Sequence, residues 1–371
     1  MINILIEGMT CYKGGKETYI INIFQAIDKQ KYHITFVAYD QEIAYEEMVK
    51  KEGAEVIHIP ARSKGPIRHR KALDRLMKEK KYDVVWAHKT TLSACELLSA
   101  SKKYQVPVRI IHSHSSSNMG GKFTYFMHSI NKKRIFGIAN EYWACSQTAA
   151  KWFYGSHEAQ IMVNGIDLEK YKYDESVRNR LRKQLNIEED FVIGHVGRFG
   201  IEKNHKKLLN VFKACKDKKE NVKLILCGDG EERKNIENQI QELGIQEDVI
   251  ILGVIDNVNE MLQAMDIMVM PSLFEGLPFA LLEAQAAGLK CIVSDTVSVE
   301  SDIMGWNKFL SLNVESEVWA KVILNENTSY ERNVGYIQMK EREFDIGDIV
   351  RKIEEIIDSR LYSLGENKRW P

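Results

Sequence analysis

The sequence is poor in several features, and each shortage removes a class of function. Only 6 prolines occur among 371 residues that are 44% hydrophobic and 28% charged, which excludes an extensively disordered chain. No window approaches the run of ~18 apolar residues that a bilayer span needs, so no segment is expected to cross a membrane. The opening MINILIEGM carries an apolar strand-length run, too short for a signal peptide. The 6 cysteines (Cys11, Cys95, Cys145, Cys215, Cys227 and Cys291) form no C-x-x-C pair and no clustered His/Cys spacing. They read as reduced thiols of a cytoplasmic protein, not as a disulfide or zinc framework. No G-x-G-x-x-G follows the first strand, which ranks a dinucleotide-dependent oxidoreductase last. Net charge is also absent, but only as a sum. Residues 1–185 hold 30 Lys+Arg against 19 Asp+Glu, a surplus of 11, and the remainder holds 22 against 33, a deficit of 11. The basic half suits an anionic partner such as a membrane surface or a phosphorylated substrate.

What is present is a rhythm. Short β-branched runs at 2–6, 33–39, 55–59, 83–88, 108–114 and 141–145 alternate with helix-length amphipathic segments such as 16–29, 68–80, 91–103 and 121–136. Runs at 191–196, 222–228, 248–253, 266–270 and 290–295 repeat the pattern. This alternation predicts parallel sheets with right-handed helical crossovers, and near-continuous apolar strands predict sheets covered on both faces. Two sets of strands are read as two doubly wound domains. The polar stretch 167–190, where the charge balance changes, is the expected join, giving domains 1–186 and 187–345. Residues 348–364 predict an amphipathic helix with Ile349, Ile353, Ile356 and Ile357 on one face, so 346–371 is expected to pack back on the first domain.

Ligands of open α/β sheets sit at the carboxyl ends of strands. After the strand ending at Val196, VGRFGIEKNHKKLL sets Arg198 and Lys203 around a short loop before a helix, a setting suited to a diphosphate. After the 266–270 strand comes PSLFEGLPFALLEAQAAG, with Glu275 and Glu283 in apolar company. Burying carboxylates there is costly unless something pairs with them. Pro278 suits the first helical position, leaving the Phe279 and Ala280 amides to meet phosphate oxygens. Glu275 then precedes the helix and Glu283 lies about a turn and a half inside it, so the two acids reach different parts of one ligand.

These residues together resemble the retaining glycosyltransferases of family 4, whose GT-B fold sets two Rossmann-like doubly wound domains across a cleft. The family pattern of Glu, seven residues, Glu is met by Glu275 and Glu283, and Gly-Arg…Lys by Gly197, Arg198 and Lys203. The glycine-rich N-terminal loop is met by Gly14, Gly15, Lys16 and Glu17. VNGIDLEKY (163–171), LCGDGEER (226–233) and LGVIDNVNEML (252–262) add support. The wording is most similar to bacterial capsular and exopolysaccharide enzymes.

The resemblance implies transfer of a hexosyl or N-acetylhexosaminyl group from a nucleotide sugar, UDP-linked foremost, to a saccharide or polyprenyl-diphosphate-linked acceptor. Arg198 and Lys203 would neutralise the diphosphate, assisted by the Phe279 and Ala280 amides. Glu283 would take the ribose hydroxyls and Glu275 those of the donor sugar. Gly253 and Val254 would read the base, and Gly15 would approach from the other domain. On the acceptor side stand His112 and His114, with His114 preferred, and His88 at another recurrent family position. No Asp-x-Asp motif is present, so no metal and no cofactor are expected. No nucleic-acid partner is expected. The basic stretch 62–81 and the aromatic-basic stretch 120–137 suit an anionic membrane surface, hence a cytoplasmic protein peripheral on the inner face of the plasma membrane. A nucleotide-sugar epimerase of the same architecture and a non-catalytic sugar-binding subunit remain the alternatives.

Overall fold

The computed structural model describes residues 1–39, 41–116 and 121–366, with side chains to 363. Gly120 and residues 367–371, which fall within stretches singled out above, lie outside the described residues. The chain divides into two units, residues 1–165 with 346–371, and residues 166–345.

The first unit is built on β1 (Ile2–Glu7), β2 (Tyr32–Tyr39), β3 (Glu55–Ile59), β4 (Val84–Lys89), β5 (Val108–Ser113), β6 (Glu141–Ala144) and β7 (Gln160–Ile161). They form a parallel sheet in the order β3-β2-β1-β4-β5-β6-β7. The second unit carries β8 (Phe191–Val196), β9 (Val222–Cys227), β10 (Val249–Gly253), β11 (Ile267–Met270), β12 (Lys290–Ser294) and β13 (Lys308–Leu310). Its parallel order is β10-β9-β8-β11-β12-β13. The apolar runs form the strands because both sheet faces are covered: all four β11 residues are buried, as are five of the six in β8. Each sheet is wound outward from a central strand and then resumes on that strand's other side. The switch points therefore lie between β1 and β4, and between β8 and β11. Strands β7 and β13, two and three residues long, are too short to give a periodic signal in the sequence.

The unit boundary departs from the expected one. It falls at Gly165/Ile166, not after residue 186. The charged stretch expected to link domains is instead part of the second unit. Its Glu175–Leu185 helix is capped by Asp174, whose carboxylate accepts from the Ser176 and Val177 amides at 2.8 and 3.3 Å. Arg178 donates to the Gln263 and Met265 carbonyls, and buried Arg182 to the Ala264 carbonyl at 2.9 Å and Asp266 at 3.1 Å. Guanidinium groups that read as solvated charge in the sequence are the struts of this helix. A second departure concerns Pro278. It sits one residue before the Phe279–Ala286 helix with extended backbone (φ −71°, ψ 130°), as the cap and not the first helical residue.

The Ile346–Glu366 helix belongs to the first unit, with Ile349, Ile353 and Ile357 buried. Asp358 pairs with Lys31, and Arg360 with Glu141. Where the chain returns to this unit, Gly165 is required: a Cβ there would stand 2.9 Å from Ile349 Cγ1 and 3.1 Å from the Ile346 Cα. On the Lys122–Arg134 helix, Phe123, Phe126 and Ile130 are 72%, 58% and 42% exposed. Their spacing puts them on one stripe, flanked by exposed Lys122, Lys133 and Arg134. Among the described residues, no helix is long and apolar enough to cross a membrane.

Candidate active-site residues of the two units

In the second unit, the loops leaving β8, β9 and β10 are stitched together by glycines. The Gly197 amide donates to the Cys227 carbonyl at 3.0 Å, and the Gly228 amide to the Gly253 carbonyl at 2.8 Å. Gly228 has φ +148°, and a Cβ there would lie 1.9 Å from the Gly197 oxygen, so only glycine fits. Across the switch point, the β8 loop is tied to the β11 loop. The Leu273 amide donates to the Glu202 carbonyl at 2.8 Å, and Asn204 Nδ2 to the Pro271 carbonyl at 3.1 Å.

This stitching brings Lys203 to Glu275, with Nζ 2.6 Å from Oε1 and the two side chains only 12% and 17% exposed. The pair straddles β8 and β11, at the crevice where doubly wound sheets take their ligands. The Glu275 backbone is held by a parallel bridge to Val297. Arg198 stands apart, half-exposed, its guanidinium gripping Glu231 with contacts of 2.8 and 2.9 Å. The Phe279 and Ala280 amides open the Phe279–Ala286 helix, and the first intrahelical bonds run from Leu281 and Leu282 to the Pro278 carbonyl. Gly253 ends β10 with φ +70°, and Val254 beyond it is 71% exposed.

Glu283 is half-buried on that helix, and its partner is Tyr171, whose hydroxyl hydrogen-bonds the carboxyl. Burial pushes the Glu283 carboxyl up to about 7, against which the Tyr171 bond pulls down. Burial first, then the nearby carboxylate, raises the Tyr171 hydroxyl far above its usual range. In the sequence, Tyr171 ends the supporting stretch 163–171 and carries no mark of this contact. Its role was not legible there because it arrives from the Leu168–Tyr171 helix, far away in the chain.

In the first unit, Gly15 is the exposed first residue of the Gly15–Ala26 helix. Beside it Lys16 pairs with Glu17 at 3.2 Å, and Thr10 Oγ1 donates to Glu17 at 2.8 Å. Lys89 pairs with buried Glu7 at 2.6 Å. Parallel pairing of β4 with β5 sets His88 opposite His112, and His114 follows on the same face. His88 Nδ1 lies 2.8 Å from His114 Nε2, and the His112 and His114 rings stack with centroids 4.3 Å apart. His88 and His112 are buried, whereas His114 retains a path to the surface. Burial holds all three imidazoles well below the usual histidine range, His112 at about 3, so they are neutral. Their gathering was invisible in sequence spacing because strand pairing creates it. Separately, a cavity of about 690 Å³ lies between the Pro66–Glu79, Glu96–Lys103 and Lys122–Arg134 helices, lined by Arg70, Lys71, Leu73, Met127 and Arg134 among others.

Residues 177–325 match the family described as glycosyl transferases group 1, and residues 13–170 match glycosyltransferase family 4. The chain is 31% identical over 332 residues to the glycosyltransferase EpsF of Bacillus subtilis (strain 168), covering 86% of this chain and 85% of that one. It is 29% identical over 241 residues to a UDP-Gal:alpha-D-GlcNAc-diphosphoundecaprenol alpha-1,3-galactosyltransferase of Escherichia coli, 60% of each chain. Among solved structures, Anabaena HepE in complex with UDP and glucose superposes with a TM-score of 0.78 at 20% identity, over 97% of this chain and 100% of that one. Matches to both family descriptions, a relative similar over most of its length, and two parallel-sheet units of this topology lead to one conclusion: the chain belongs to the group 1, family 4 glycosyltransferases and has the GT-B fold.

Proposed function

We propose that the chain is a retaining hexosyltransferase. It moves a hexosyl or N-acetylhexosaminyl group from a UDP-sugar to a lipid-linked saccharide during exopolysaccharide or capsule assembly. The observation that carries this is the Lys203–Glu275 pair at the β8/β11 switch point, with the Phe279 amide and Glu283 on the helix that follows. In this reading the donor diphosphate draws Lys203 toward itself and freed Glu275 accepts from hydroxyls of the sugar. Arg198, the Phe279 and Ala280 amides and Lys203 stabilise the charge that grows on the diphosphate as the glycosidic bond breaks. Glu283 accepts from the ribose hydroxyls. Gly253 and Val254 meet the base, Gly15 approaches the phosphate or acceptor, and His114 stands by the reacting carbons, backed by His112 and His88. These cations take the place of a metal, so turnover needs no divalent ion.

The names of the relatives support the donor and acceptor: one is a UDP-Gal transferase acting on a diphosphoundecaprenol-linked sugar, and HepE was solved with UDP and glucose. The exposed Phe123–Phe126–Ile130 stripe with its basic flanks supports docking on an anionic membrane at the inner face. A thermal-shift screen of UDP- and GDP-sugars, followed by turnover with the best binder, tests the reading. A UDP-sugar should raise the melting temperature by mass action. Glu283→Ala and Lys203→Ala should abolish that rise. A shift unchanged in both variants contradicts the assignment.

A further inference from the structure

The three histidines pose a problem that sugar transfer does not solve. Tyr19 packs against all of them, with centroids 5.8, 4.9 and 5.0 Å from His88, His112 and His114, and Trp86 stacks near His88 at 4.7 Å. Inside this aromatic wall, His88 Nε2, both ring nitrogens of His112, Tyr19 Oη and Trp86 Nε1 are buried without a hydrogen-bond partner. Each such atom costs about 1–3 kcal/mol, so an apolar ring would fill the space of His112 more cheaply. Of these, a His112 ring nitrogen is the atom a single ion could satisfy, since Trp86 Nε1 is a donor only and each ring gives a metal one nitrogen; its burial without a partner points to an occupant beside the three rings.

We propose that His88, His112 and His114 form a transition-metal site of the zinc class. Each ring offers one nitrogen, and the three lie within 4.8 Å of one another. Tetrahedral coordination at ~2.05 Å sets ligand nitrogens about 3.3 Å apart. The present 2.8 Å between His88 Nδ1 and His114 Nε2, with all three nitrogens inside 4.8 Å, needs only small ring adjustments to reach that value. Three neutral imidazoles with no carboxylate among them select zinc, cobalt, nickel or copper over magnesium, calcium or manganese. Lys16 is the cation that acts on His88 and His114, and its charge is offset by its pairing with Glu17, as that of Lys89 is by Glu7. A water completes the fourth position. Loading the site ties up His114, the ring that reaches the surface. Under the function proposed above, zinc then lowers transfer without being required for it.

The test is metal binding by the full chain, which reads out independently of sugar transfer. The chain is stripped with EDTA, dialysed against zinc, and titrated separately with cobalt(II). The expected result is about one zinc per chain and visible cobalt absorption, with magnesium unable to compete. His88→Gln and His112→Gln should each lower retained metal about tenfold or more, while exposed His157→Gln should not. Zinc-edge X-ray absorption on the wild-type chain gives a second reading that does not depend on how the variants fold, with three imidazoles expected. Retention undiminished in both variants, less than about a tenth of an equivalent of zinc, or an oxygen shell without imidazole overturns the proposal.

Discussion

At the residue scale, the two glutamates of the 271–288 stretch differ in what surrounds them. Glu275 faces a cation, and Glu283 faces a phenol. Glu283 has a folded value of about 7 against 4.5 for an unperturbed glutamate, so between those pH values the folded chain holds a proton that the unfolded chain has released. Its contribution to stability is therefore full below about pH 4.5 and is lost as pH rises through 7. Glu283→Gln should melt a few degrees above wild type at pH 8 and close to it at pH 5, by calorimetry. Under the function proposed above, ribose hydroxyls need the carboxylate, so ligand binding carries the opposite sign. UDP affinity of the wild type should rise about tenfold from pH 6 to pH 8, and that of Glu283→Gln should be weak and flat. For Glu275→Gln, calorimetry should find UDP affinity within about twofold of wild type while kcat falls about 10²-fold or more. Equal loss of UDP binding in both variants would contradict this division of labour. The placement of Arg198, Lys203 and Glu275 in the loops after strands, and of Glu283 on the helix that follows, was legible in the sequence because the alternation of elements locates those loops and that helix. Tyr171 and the contacts among the three histidines were not, because only the folded sheet and helix packing create them.

At the element scale, apolar periodicity located the longer strands, and polar composition misled. The Glu175–Leu185 helix reads as a linker because its arginines are charged, yet Arg182 is 6% exposed and spends its donors on carbonyls and Asp266. Arg182→Ala strips donors from the Ala264, Glu188 and Asp190 carbonyls and leaves Asp266 with Arg178 as its remaining guanidinium partner. It should cost about 2 kcal/mol, read as a lower urea midpoint with an unchanged m-value. Arg180→Ala, whose partner Glu260 lies on the surface, should cost less than about 1 kcal/mol. The Lys122–Arg134 helix presents the converse case, with large apolar side chains turned outward. Phe123→Ser with Phe126→Ser should lower binding to anionic phospholipid vesicles about tenfold in a flotation assay, with thermal stability unchanged, since neither ring is in the core. Unchanged flotation would remove the membrane from the account.

At the scale of the whole molecule, both sheets share one winding rule; the second presents Lys203 and Glu275 at its switch point, and the first presents His88, His112 and His114 on the adjacent β4 and β5 strand ends. The sequence carried that architecture because strand-helix alternation is a property of long segments. It misplaced the boundary because a short crossing at Gly165 carries no compositional mark. Division into a basic first half and an acidic second half accords with an anionic acceptor surface on one unit and, on the other, an anionic nucleotide held by a few placed cations. Excess EDTA should leave turnover intact, and its abolition with rescue by manganese would contradict the reading. The most direct measurement is NMR of the product formed from a UDP-hexose and a polyprenyl-diphosphate-linked sugar in EDTA. The account predicts a new glycosidic linkage with the donor's anomeric configuration kept. An inverted linkage, or hydrolysis or isomerisation of the donor with no transfer, would contradict it.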